Sequence, residues 1–468
     1  MSTRILPPTR RALLGLLAAC ATAVACAPAA APRTAPDAVA AAPRIAPAAL
    51  PGAHTPALYE VFVRDFSPSG DFRGLIAGLD RIQVTGANVL WLMPIHPIGV
   101  ANRKAPLGSS YAVRDYRAIN PDYGTAADFR ALVGAVHGRG MKLILDWVPN
   151  HTAWDHHWTR ERPDFYLRDA QGGLSVPRDN EGKLTDWTDV ADLDYSNRGL
   201  RREMVAAMEY WLDEFGIDGF RVDVAGMVPY DFWREAVPQL RQGRDILLLA
   251  EWGDPEMHAL GFDLTYGWDG YHALKAVWRG EPASGFIARE LEERRASPTV
   301  RRLRFTTNHD ETAWDSPPVT LFNGPAGARA AFAAMTLLPG VPLLYNGQEV
   351  ESPQKLGLFV KEAVEWERPG ADDARAYYRR ILELARTHAA FRGNDLAAVA
   401  TDRPADVVAY ARGRVIVLVN TRDRALDVTL TDRTVNGARE LLSGRALPAG
   451  SIALPAYGVA VLETAPRP

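Results

Sequence analysis

The sequence predicts an α/β protein built on a (β/α)8 TIM barrel, with a loop domain inserted after the third strand and an all-β domain at the C-terminus. Three observations carry this. Apolar strand-like runs alternate with amphipathic helical patterns, the alternation reaches eight, and the pattern then changes to short β-rich segments. A doubly wound open sheet is the alternative reading of the same alternation. With 468 residues, 47% of them hydrophobic, the chain is long enough for one large core.

The pattern opens with the run Leu58-Tyr59-Glu60-Val61-Phe62-Val63, followed by a helix with Leu75, Ile76, Leu79 and Ile82 on one face. Asn88-Val89-Leu90-Trp91-Leu92-Met93 completes a first βαβ unit. A helix bearing Phe129, Leu132, Val133 and Val136 leads to a third strand at 142–146. The aromatic-rich stretch that follows lacks periodicity and is the expected inserted domain, at about 151–190. Leu200, Met204, Met208, Trp211, Leu212 and Phe215 then mark a strongly amphipathic helix that delivers a strand at 219–223. Further strands are expected at 246–251, 261–264, 303–307 and 341–345, and a last helix at 372–391, so the barrel spans 56–395. Over 396–468, six short runs separated by turn residues predict a β-sandwich domain.

The amino terminus reads differently. Both cysteines, Cys20 and Cys26, lie within the first 26 residues, so nothing after them can form a disulfide or a thiolate metal cluster. Arg10-Arg11 precede an apolar run that is too short to span a bilayer and reads as an export signal. Its small residues lead into a cysteine and resemble the lipobox of bacterial lipoproteins, with Leu17-Ala18-Ala19-Cys20 and Ala23-Val24-Ala25-Cys26 competing for the role. Cys26 is preferred because it leaves a more normal apolar length. The expected division is a signal peptide over 1–25, then a lipidated Cys26 and linker over 26–55; a plain signal peptide cut elsewhere is the alternative. Thirteen Ala and six Pro between Ala27 and Ala53 suit a tether. The expected location is the cell envelope, on its periplasmic or cell-surface side, with the membrane as partner through the lipid.

A formal net charge of −3 excludes a basic nucleic-acid binder and suits a neutral ligand. The sequence has no glycine-rich phosphate loop, no solenoid repeat and no organic-cofactor motif.

In such a barrel the chemistry sits at the carboxyl ends of the strands. Four predicted strand ends place polar residues there: Asp146 with Asn150-His151, Arg221 with Asp223, Glu251, and Asn308-His309-Asp310. Three acids at one mouth suit retaining glycoside hydrolysis, in which one ionised carboxylate attacks the anomeric carbon and one protonated carboxyl serves the leaving oxygen. Arg221 and Asp223 share a strand face, so the guanidinium is expected to keep Asp223 ionised. Glu251 follows an apolar run, and desolvation there is expected to raise its pKa toward general-acid use.

These segments resemble, in order, those of the α-amylase superfamily, glycoside hydrolase family 13. The matching stretches are Asp146-Trp147-Val148-Pro149-Asn150-His151, Gly219-Phe220-Arg221-Val222-Asp223, Ala250-Glu251-Trp252 and Phe305-Thr306-Thr307-Asn308-His309-Asp310. Val190-Ala191-Asp192-Leu193-Asp194 is similar to a fifth, and 111–125 to the family's second βα loop. The resemblance implies Asp223 as nucleophile, Glu251 as acid and then base, and Asp310 as the third carboxylate. It implies a substrate-binding set of Tyr111, His151, Arg221 and His309, with Asp146 bracing the site. Asn150 and Asp192 match calcium positions, which implies a structural Ca2+ without deciding its occupancy. One departure stands out, since the Lys-His pair that often follows the nucleophile is Gly226-Met227 here.

The implied activity is cleavage of α-1,4-glucosidic bonds in starch, glycogen or maltooligosaccharides. A transglycosylase or isomerase of the same superfamily, or a non-catalytic glucan-binding lipoprotein, are the alternatives. Endo or exo action and oligomeric state stay open. His156-His157 lack a metal-ligand spacing and are not read as a zinc site. Trp154, Trp158 and Trp187 are either sugar platforms or the core of the inserted domain. Arg294-Arg295 and Arg301-Arg302 are expected on a solvated helix face.

Overall fold

Strands in a closed parallel barrel are covered on both faces, which is why these segments read as near-continuous apolar runs. The computed structural model describes residues 56–435, 437–446 and 450–465. The expected signal peptide, Cys20, Cys26 and the linker lie outside the described residues.

Eight parallel strands close the barrel: β1 (Leu58–Val61), β2 (Val89–Leu92), β3 (Lys142–Trp147), β4 (Gly219–Val222), β5 (Leu247–Ala250), β6 (Leu264–Tyr266), β7 (Arg302–Arg304) and β8 (Val341–Tyr345). They pair in chain order, and Leu58 of β1 faces both Val89 of β2 and Leu343 of β8. Closure therefore replaces the open-sheet alternative.

Alternation along each strand sorts side chains between two cores. Leu58, Val89, Trp91, Ile144, Leu247, Leu249, Leu264, Leu303 and Leu343 fill the barrel interior. Tyr59, Leu90, Leu145, Phe220, Leu248 and Leu344 point outward to the helices. Following the interior set upward by two residues leads from Leu58 to Glu60, from Ile144 to Asp146, and from Leu249 to Glu251. The apolar interior thus gives way to acidic side chains toward the carboxyl end.

Two glycines decide local geometry. The helix expected across Leu75 to Ile82 is two helices, Phe72–Ala77 and Leu79–Val84, meeting at Gly78, where a Cβ would lie 2.4 Å from the Phe66 ring. Gly219 has φ +138°, and a Cβ there would stand 2.0 Å from the Leu247 carbonyl oxygen. Only glycine lets β4 begin this close to β5.

Two strands sit off their expected positions. Residues 261–263 form a turn before β6, because the Asp263 carboxylate accepts the Leu248 N–H at 2.8 Å and binds Arg241 at 2.6 Å. β7 ends at Arg304, and 305–308 leave the ladder to carry the polar end of the site. The expectation for Arg302 fails: it lies on β7, buried, donating to the Gly253 carbonyl at 2.8 Å and pairing with Glu293 at 2.6 Å. Gly253, Thr265 and Glu293 supply the acceptors that water would otherwise supply.

The inserted segment begins and ends as a two-stranded antiparallel ribbon, His151–Ala153 against Val190–Asp192, with His151 opposite Asp192. After the helix Ala371–Thr387, the C-terminal part forms a five-stranded antiparallel sheet and a two-stranded one. Val408, Tyr410, Val415, Val417 and Val461 of the larger sheet join the barrel-side core, while Ala409, Ile416, Leu418 and Leu462 face the two-stranded sheet. Both faces are covered. Among the described residues no helix is long and apolar enough to cross a membrane.

Candidate active site

The carboxyl ends of β3, β4 and β5 bring Asp146, Arg221, Asp223 and Glu251 together. Arg221 is wholly buried, and its Nη1 donates at 2.8 Å to both Asp146 Oδ1 and Asp223 Oδ1. Its Nη2 stands 2.9 Å from Glu251 Oε1, an ion pair without hydrogen-bond alignment. The rings of Trp91, Tyr111 and Tyr266 surround the guanidinium at 5.2, 5.8 and 5.8 Å. Three carboxylates thus share one cation in a cage of low polarity.

The second half of the site comes from β1 and the segment after β7. His309 binds Glu60 through Nδ1 and Asp310 Oδ2 through Nε2, the latter at 3.3 Å. Tyr111 stacks on the His309 ring at 5.3 Å, lies 2.7 Å from its Nε2 through its hydroxyl, and donates to Asp146 Oδ2 at 3.1 Å. A polar chain therefore runs from Glu60 through His309, Tyr111 and Asp146 to Arg221. The Trp91 indole N–H also donates to Asp146 Oδ2, at 3.1 Å, so Asp146 is held from every side and braces the site.

Electrostatics set the three acids apart. Burial pushes Glu251 up to about 8, with the Asp223 charge adding to it against the pull of Arg221. Burial likewise raises Asp223 to about 6, because desolvation outweighs the Arg221 charge. Arg221 pulls Asp223 toward ionisation in the expected direction, and burial sets the limit on that pull. Asp146 is raised by burial to about 6 as well. At Asp310 the depth of the site opposes ionisation, yet the charge and hydrogen bond of His309 prevail and hold the carboxyl near 2. Burial would strip the proton from His309, but Asp310 and Glu60 outweigh it and keep the imidazolium. His151, buried without a carboxylate partner, falls to about 3 and is neutral.

A strained turn serves Glu251. Val224, directly after Asp223, adopts φ +36°, a conformation disfavoured for a β-branched residue. The turn aims its N–H at Glu251 Oε2, 2.7 Å away.

Tyr111, His151, Asp223, Glu251, His309 and Asp310 line one cavity of about 440 Å3, within the range of small-molecule sites. Six of the seven expected catalytic and substrate-binding residues therefore meet. Arg221 is the exception, since it lies behind the carboxylates and reaches a ligand only through them. The sequence reading missed Glu60; its signal was an acid at an interior position of an otherwise apolar strand.

The expected metal donors, Asn150 and Asp192, lie at the root of the inserted ribbon, both buried. Burial raises Asp192 to about 7 while the Leu193 and Arg178 N–H groups partly offset it. Gly226 has no room for a side chain: a Cβ would lie 2.0 Å from Trp252 Cε2, so the indole after Glu251 fills the space. Trp158 is buried against Tyr116, His156 and Phe165 and belongs to the core of the inserted segment. Trp187 instead lines the cavity, its ring 5.5 Å from His151, and Trp154 is tied to the Thr188 carbonyl. No cluster of three or more His, Cys, Asp or Glu suited to a metal occurs among the described residues.

The fold and site together define a barrel enzyme of the paired-carboxylate class. Comparison with known proteins places it more narrowly. Residues 60–245 match the family model described as alpha amylase, catalytic domain. An alpha-amylase from Lactobacillus plantarum superposes with a TM-score of 0.78 at 30% identity, covering 88% of this chain and 99% of that one. A maltogenic alpha-amylase from Thermotoga neapolitana gives 0.77 at 29%, with the same coverage. The alpha-amylase MalA of Haloarcula japonica is 32% identical over 310 residues, 64% of this chain and only 44% of that relative. The chain belongs to the alpha-amylase family of glycoside hydrolases.

Proposed function

We propose that this protein is a retaining α-glucan hydrolase that cleaves α-1,4-glucosidic bonds in starch, glycogen or maltooligosaccharides. The observation that carries the reading is the pairing of Asp223 and Glu251 on the two nitrogens of one buried guanidinium, with Glu251 the weaker acid. Adjacent nitrogens hold the carboxylates close, as a retaining pair requires at about 5–5.5 Å. Between about pH 6 and 8, Asp223 is ionised while Glu251 keeps its proton.

Asp223 attacks the anomeric carbon as Glu251 protonates the departing oxygen, giving a covalent glycosyl-enzyme. Glu251, now a carboxylate, takes a proton from water, which attacks the same carbon and releases Asp223. Asp310, ionised, accepts hydrogen bonds from sugar hydroxyls, and the imidazolium of His309 and neutral His151 supply donors beside it. The names of the relatives, alpha-amylase and maltogenic alpha-amylase, favour the α-1,4 linkage.

The test incubates the full chain with soluble starch, pullulan, maltotetraose and trehalose, alongside Asp223→Asn. Reducing sugar from starch and maltotetraose, absent in the variant, is the expected result. No release and no rearranged oligosaccharide from any of the four would overturn the reading.

Asn150 and Asp192 offer the hard oxygen donors that calcium prefers, and a dication beside Asp192 would offset the cost of its burial. We assign them to a structural Ca2+, which chelation would reveal as a lowered melting temperature. Export and lipid anchoring through Cys26 complete the proposal; they rest on the sequence of residues 1–26 and are tested by metabolic labelling with a fatty-acid analogue and by Cys26→Ala.

A further inference from the structure

The cavity rim carries an aromatic group that the carboxylate chemistry does not use. Trp314 is 63% exposed, the most exposed large apolar side chain among the described residues, and it lines the cavity together with Leu358 and Phe359. Leaving an indole in water forfeits the burial that normally places tryptophan inside a protein. Phe359 meets it edge-on at 5.9 Å, which extends the apolar surface along the rim.

Trp314 is presented firmly. It stands on a π-helical turn, Glu311–Asp315, of the kind frequent at functional sites. Both ends of this turn are tied to the neighbouring helix Trp268–Trp278: Lys275 Nζ reaches Asp315 at 2.5 Å and Glu311 at 3.3 Å, and the Tyr271 hydroxyl donates to Glu311 at 2.5 Å. The Thr312 and Thr307 hydroxyls lock its underside at 2.7 Å. At the crest, the indole N–H donates to Asp310 Oδ1 at 3.2 Å, so the ring is attached directly to the acid that faces the sugar.

We propose that Trp314, with Phe359 beside it, is a stacking platform for the glucosyl unit adjoining the one held by Asp310. The apolar C–H face of a pyranose lies on the indole, while the indole N–H keeps Asp310 oriented. Trp187 is a further aromatic side chain lining the same cavity. This platform rests on the glucan reading above and adds to it a preference for chains over single sugars.

The test needs no turnover. Maltotetraose and glucose are titrated calorimetrically into the full chain carrying Asp223→Asn. Adding Trp314→Ala weakens maltotetraose binding about tenfold and weakens glucose binding, which loses only the indole tie to Asp310, by no more than Trp314→Phe does. Trp314→Phe, which keeps a ring and loses the N–H, recovers most of the affinity, and Phe359→Ala costs about threefold. Undiminished binding by the Ala variant overturns the platform alone. So does a Phe variant as weak as Ala, which would leave only the bond to Asp310. A parent that binds no maltotetraose overturns the glucan reading and the platform with it.

Discussion

Two wholly buried arginines, one at the barrel mouth and one in the C-terminal sheet, do opposite things. Arg221, at the barrel mouth, faces three carboxylates, and their charges hold its pKa well above the usual value against the cost of burial. Arg412, in the C-terminal sheet, forms no ion pair among the described residues, and Asp395 acts on it only at longer range. Its guanidinium is capped by the carbonyls of Leu337, Phe391 and Gly393 at 2.7, 3.1 and 2.6 Å, and burial lowers it to about 10. Fixed dipoles make a pin that holds the sheet to the barrel. Titratable partners make a site, because acids crowded round one cation cannot all ionise together. Arg304, the last residue of β7, is intermediate in kind, paired in a fork with buried Glu290 at 2.9 and 2.7 Å.

The contrast predicts where each change registers. Asp223→Asn is expected to lower kcat by about 10^4-fold while the melting temperature holds, because the amide still accepts from Arg221. Arg221→Met removes the cation from among three acids; activity should vanish and stability should fall by about 3–5 kcal/mol, measured by denaturant titration. If the fold were unaffected, the shared-cation account would be wrong. Arg412→Leu leaves three buried carbonyls unpaired and should cost about 3 kcal/mol, with kcat per folded molecule unchanged and the same loss at pH 5 and pH 9.

Titration gives a subtler separation. Glu251, Asp223 and Asp146 all have folded pKa values raised above the unfolded ones, to about 8, 6 and 6. At these three sites the folded chain binds more protons, and the stability they contribute is lost as pH rises from about 4 to 8. The depressed Asp310 acts in the opposite sense only as pH falls below its unfolded value, outside that window. Between pH 5 and pH 9 the melting temperature should fall more steeply, or rise less, in the wild type than in Glu251→Gln. Equal slopes would show that Glu251 does not carry the raised pKa. Least in size, Glu60→Gln weakens the grip on His309 and should reduce kcat/KM by about tenfold, with its largest effect at alkaline pH, where His309 loses its proton first.

Much of the barrel was legible because a strand period of two and a helix period of 3.6 leave separate marks in the chain. Asp146 and Glu251 were legible because each follows an apolar residue by two on the interior face, Asp223 because it shares a strand face with Arg221, and Asp310 because it closes the polar run Asn308-His309-Asp310. Glu60 obeys the first of these rules and was passed over, since one acid in a strand has no meaning until closure brings β1 beside β8 and His309 against it. Trp314 was invisible for another reason. Nothing in Ala313-Trp314-Asp315 distinguishes an exposed tryptophan from a buried one, and only the clamped π-turn decides it.

By itself the sequence determined the order of elements, the chemistry available at each strand end and the crowding of cysteines into the first 26 residues. Local spacing and side-chain type are sufficient for these. Tertiary structure alone decided that one guanidinium serves three carboxylates, that burial raises Asp223 against the pull of Arg221, and that Arg302 is an internal tie. Such properties depend on desolvation and on charges brought within a few ångströms by closure of the sheet, and neither quantity exists before the chain has folded.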